Sequence, residues 1–85
     1  MISKMHIERF QRHIKTLRAI AGVSQTDVAQ EFFISNQAMC NIEAGRTKMS
    51  AFQFVAINKF LEDSSPNKDL YRESYRILVL DDKED

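Results

Sequence analysis

One cysteine, one proline and two glycines in 85 residues leave the chain few of the usual devices for stapling or breaking a backbone. The lone Cys40 excludes an internal disulfide and the paired-cysteine zinc patterns. No apolar run approaches the roughly 20 residues that cross a bilayer. The N-terminus lacks the long apolar core and small-residue cleavage site of a secretory signal. A cytoplasmic protein with no membrane contact is therefore expected. There is no nucleophile–base pair at catalytic spacing, no glycine-rich phosphate loop and no cluster of metal-ligand residues. His6 and His13 have no convergent partners, and a metal site needs three or four. Neither catalysis, nor a cofactor, nor a metal is expected.

Net charge is also missing, since 12 basic and 12 acidic side chains cancel. The distribution is uneven. Through Glu62, eight basic residues stand against five acidic, a balance of +3; from Asp63 on, four stand against seven, a balance of −3. A weakly basic front suits a binder that reads bases more than one held by bulk attraction to phosphate.

What the chain does have is an ordinary apolar content, 44%, enough for one small core near the lower size limit for a stable domain. Ile7, Phe10, Ile14, Leu17 and Ala21 recur three and four apart and predict a helix with one buried seam, stopped by Gly22. Arg9, Arg12, Lys15 and Arg18 fall on its remaining surface, with Arg9 and Arg12 expected on a solvated face. Ser24 is an N-cap for a second helix whose apolar face is Val28, Ala29 and Phe32. Ser35 caps a third, with Ala38, Met39 and Ile42 inward and Gly45 as its stop. Asn36, Gln37 and Asn41 point away from that apolar face. A helix built only for solubility more often carries Lys and Glu there. Amides donate and accept together, which matches the edge adenine presents in the major groove.

These residues carry a resemblance. Leu17-Arg18, Gly22-Val23-Ser24-Gln25, Val28-Ala29, Ile34-Ser35, Met39, Ile42-Glu43 and Gly45 are similar to the helix-turn-helix of the phage repressor and Cro family, the XRE-like regulators, over roughly residues 14–61. The resemblance implies an all-α, lambda-repressor-like bundle of about five helices. Its implied function is sequence-specific binding of double-stranded DNA by a transcriptional regulator, a repressor, that reads the major groove as a homodimer. It implies base contacts from Asn36, Gln37, Ala38 and Asn41. It implies backbone contacts from Gln25, Ser35, Arg46, Thr47 and Lys48. It also implies an ion pair between Arg18 and Glu43 that locks the first helix to the end of the third. The rival expectation is a protein-interaction module of the same fold, such as an antitoxin or a partner-tethering regulator. Zero net charge and a large apolar C-terminal segment favour that rival.

The chain departs from the pattern of the family it resembles at two places. Phe33 stands where the turn usually has glycine, so an unchanged turn requires a positive φ from a bulky residue, at a cost of roughly 1–2 kcal/mol. Met49 stands where proline usually precedes the next cap, Ser50. A fourth helix is expected over residues 51–61, apolar on more than one side, followed by a linker from Asp63 through Pro66. This divides the chain into a binding domain, 1–65, and an extension, 66–85. The extension reads as a helix from Lys68 to about Tyr75, then Ile77-Leu78-Val79-Leu80 as either a short strand or a helix, then an acidic tail. It either packs on the body or forms a dimer interface.

Overall fold

The computed structural model describes residues 2–81, so most of the acidic tail, residues 82–85, lies outside the described residues. These form an all-α bundle: α1 (Lys4–Ala21), α2 (Gln25–Glu31), α3 (Asn36–Glu43), α4 (Ala51–Ser64) and α5 (Lys68–Tyr75), closed by a π-helical turn (Arg76–Leu80). No strand occurs among the described residues, so Ile77–Leu80 is helical and the strand alternative is corrected. The linker is also shorter than expected, because Asp63 and Ser64 complete α4.

The capped starts follow from serine. Ser3, Ser24, Ser35 and Ser50 each accept a hydrogen bond from the backbone N–H three residues on, at 3.0–3.1 Å. At α1, α2 and α4 the third helical residue answers, with His6, Asp27 and Gln53 each accepting from the cap's own N–H. Ser3 therefore holds the first turn of α1.

Three helices end the same way. After α1, Val23 N–H bonds Arg18 C=O and Gly22 N–H bonds Ala19 C=O; Ile34 and Phe33 repeat this on Ala29 and Gln30, and Arg46 and Gly45 on Asn41 and Ile42. This paired closure needs a left-handed residue just past the helix. The chain's two glycines fill two of these positions, with φ of 76° and 79°, and Phe33 fills the third with φ of 56°.

The core runs along α1. Phe10, Ile14 and Leu17 are fully buried, against Val28 from α2, Met39 from α3 and Leu61 from α4. Phe10 meets Phe54 edge-on at a centroid distance of 4.9 Å, and Tyr75 lies over Phe54 at 6.4 Å. Met49 is buried as well. The C-terminal extension belongs to this same core: Tyr71 and Val79 are 1% and 0% exposed. Tyr71 donates its hydroxyl hydrogen to Asn58 Oδ1 at 2.8 Å. Burial, with the nearby Tyr75 and Glu62, raises the Tyr71 pKa well above that of a free tyrosine.

Arg9 is not on a solvated face. It is buried, and its guanidinium donates to the carbonyls of Val79 and Asp81 at 3.4 and 2.9 Å. The extension covers that flank of α1, and nothing in the α1 sequence announced the cover.

Candidate nucleic-acid interface

α3 packs on α2 and α1, while α5 packs on α1 and α4 and the π-helical turn packs on α1 and α5. Asn36 and Gln37 on the outer face of α3 are exposed, so the closing extension does not cover them. Residues 32–35 form the turn between α2 and α3. Phe32 points inward, its ring edge-on to Phe60 at 5.9 Å, whereas Phe33 is 95% exposed. The Phe33 ring is thus almost wholly in solvent.

On α3, Asn36 and Gln37 are exposed, and Ala38 and Asn41 are half-buried. Ala38 offers only part of its methyl, and its N–H is held by the Ser35 hydroxyl oxygen at 3.0 Å. That serine oxygen is committed to the cap, while its O–H remains a donor. Cys40 is half-buried beside them. Gln37 Nε2 donates to Asn41 Oδ1 at 3.1 Å, and Arg46 Nη1 donates to the same oxygen at 3.1 Å. Three of the polar residues singled out in the sequence thus form one connected row.

The end of α3 is tied to α1 at two places. Arg18 makes a two-point fork with Glu43, Nε to Oε2 at 2.8 Å and Nη2 to Oε1 at 3.1 Å. Both side chains are nearly buried, 13% and 11% exposed, and a fork of this geometry fixes orientation as well as distance. The second tie is Gln11, which the sequence did not single out. Its Nε2 donates to the carbonyls of Ile42 and Thr47, both at 2.8 Å, and its Oε1 accepts from Met49 N–H at 3.1 Å. One buried amide thereby spans the loop of residues 44–49 from end to end. The available signal was position: Gln11 lies four residues after Ile7 and three before Ile14, within the apolar seam of α1.

The loop held in this way presents Arg46, Thr47 and Lys48, all exposed. Lys48 stands at a groove of about 420 Å³ lined also by Glu8, Gln11, Arg12, Glu43 and Gly45. Arg12 is exposed, as expected. Gln25, the first residue of α2, is half-buried. Nearby, the Ser24 N–H and hydroxyl hold the exposed Asp27 carboxylate below its ordinary pKa, which makes it a capping group. Among the described residues, no three His, Cys, Asp or Glu side chains converge to hold a metal. No helix among them is long and apolar enough to cross a membrane.

No protein-family model, curated protein or solved structure matches this chain.

Proposed function

We propose that the protein binds duplex DNA selectively by sequence and regulates transcription, as the resemblance to XRE-like regulators implies. The observation that carries this is the outer face of α3. There Asn36, Gln37 and Asn41 stand as exposed or half-exposed amides on a helix braced by Arg18–Glu43 and Gln11. A short rigid helix bearing donor–acceptor amides is the kind of element that enters a major groove and reads base edges. Gln37 and Asn36 read first, Asn41 follows, and the exposed part of the Ala38 methyl meets a thymine methyl. Gln25, the Ser35 hydroxyl, Thr47 and Lys48 hold the sugar-phosphate backbone and set the register.

The protein acts as a homodimer in this account. One helix covers only a few base pairs, and two copies reach successive major grooves about 34 Å apart. The longest extent of the described residues is 34 Å, so copies at that spacing touch when their long axes run along the duplex. The chain works in the cytoplasm, without a cofactor, and is not an enzyme. A second reading, a protein-interaction module such as an antitoxin, is favoured in the structure by the apolar surface that Phe52 and Val55 leave on α4, 81% and 50% exposed.

Fluorescence anisotropy with a duplex enriched from a random pool, against a scrambled duplex, tests the DNA reading. Gln37→Ala should cut the preference for the enriched duplex by about 1–3 kcal/mol and leave scrambled binding unchanged. Lys48→Ala should weaken both duplexes alike and flatten the salt dependence by about one unit. Equal affinity of the wild-type protein for both duplexes would reject the reading in favour of the interaction module.

A further inference from the structure

We propose that Arg46 is a base-reading residue, directed at a guanine in the major groove on the Asn41 side of the base read by Gln37. Its place in the loop after α3 had assigned it to the phosphate backbone. The inference rests on the DNA-reading function above and names what one part of that site recognises.

Arg46 is pinned to Asn41 twice. The closure at Gly45 folds the chain back, so that Arg46 N–H bonds the Asn41 backbone carbonyl at 2.9 Å. The side chain then bonds the Asn41 side chain, Nη1 to Oδ1 at 3.1 Å. A side chain reaching for a phosphate from a loop leaves the helix. This one is drawn onto the helix face that carries Gln37 and Asn41.

The hydrogen-bond chemistry fixes what each group has left to offer. A guanidinium only donates, so the Asn41 atom facing it is the amide oxygen. The same oxygen also takes the Gln37 Nε2 hydrogen at 3.1 Å, which uses both of its lone pairs. Asn41 is left with its NH2 as a pure donor. Gln37 keeps its oxygen and its second N–H, the pair that matches adenine N6 and N7. Arg46 keeps four of its five N–H groups in the planar fork that matches guanine O6 and N7, the commonest specific contact of a guanidinium. Along α3 the order is acceptor with donor, then donor, then donor fork. Its complement is an amino-bearing base followed by a guanine. Among the described residues Lys48 has no such tie, and its point charge suits a phosphate that accepts from any direction.

The test uses the full chain and a duplex enriched from a random pool. The enriched site should carry a guanine column flanking the position that Gln37→Ala relaxes. Replacing that guanine with 7-deazaguanine removes N7 and leaves base pairing intact. Wild-type affinity should fall about tenfold, while Arg46→Ala should bind the two duplexes equally. Arg46→Lys keeps the charge and loses the fork, so it should also lose the guanine preference while keeping the wild-type salt slope. An Arg46→Ala variant that keeps the guanine column and weakens every duplex alike overturns the inference, because that is the signature of a phosphate contact. An enriched motif with no guanine in that place overturns it as well. If wild-type protein enriches no motif at all, the underlying DNA reading has failed, a result distinct from either of these.

Discussion

Replacing Phe33 with glycine should make the protein more stable, although it deletes one of the two phenylalanine side chains in the turn. Phe33 has φ of 56°, in the left-handed region, and its residue surface is 95% exposed. A non-glycine residue pays about 1–2 kcal/mol for that backbone geometry. The ring returns almost nothing, since it buries almost no surface and burial is worth about 25 cal/mol per Å². Glycine removes the strain and gives back part of the gain, about 0.4–1 kcal/mol, through its freer unfolded chain. The net is a stabilisation of about 0.5–1 kcal/mol, or a rise in Tm of about 3–6 °C for a domain of this size. Thermal and urea unfolding followed by circular dichroism would read it, with the urea midpoint moving up by several tenths of a molar unit. Phe33→Ala is the control. It removes the ring and keeps the strained backbone, so it should lie within about 0.5 kcal/mol of wild type. A glycine variant less stable than wild type, together with an alanine variant that falls as far, would show that the ring is packed and the turn is not strained as described.

Two other perturbations test the scaffold behind the interface. Gln11→Leu should cost about 2 kcal/mol in urea unfolding, because it leaves the buried Met49 N–H without its acceptor and frees the loop of residues 44–49. Titration of stability with pH tests the packing of the extension. The raised Tyr71 pKa means the folded state keeps a proton that the unfolded state gives up, so stability is full below pH 10 and falls as pH rises above it. Tyr71→Phe should flatten much of that fall, with a remainder from Tyr75, whose pKa burial also raises.

Most of the helices were legible because their signals are local. Serines at Ser24, Ser35 and Ser50, glycines at Gly22 and Gly45, and apolar residues three and four apart mark the starts, stops and inner faces of α1 to α4. The positive φ of Phe33 was expected only through the resemblance, since family members usually carry glycine at that place in the turn. What stayed hidden depends on contacts between distant segments. Arg9 reads as a surface cation until the extension, some 70 residues away, is laid over it. Ile77–Leu80 reads as strand or helix because four consecutive apolar residues carry no period; burial of Val79 and the bond from Asp81 N–H to Arg76 C=O decide for a π-helical turn. In the candidate site, the residue types were legible, and the Arg18–Glu43 pair was expected through the resemblance, but the side-chain row on α3 was not. The row from Gln37 through Asn41 to Arg46 crosses the end of α3, and only the backward fold at Gly45 brings its last member onto the helix.

Repeated selection from a random duplex pool, sequenced for wild type and for Gln37→Ala, tests most directly whether the outer face of α3 reads bases. The wild type should enrich a two-fold symmetric motif with half-sites about one helical turn apart. The variant should enrich the same motif with one column relaxed in each half. A wild-type pool that remains random, or a variant pool with every column intact, would contradict the account.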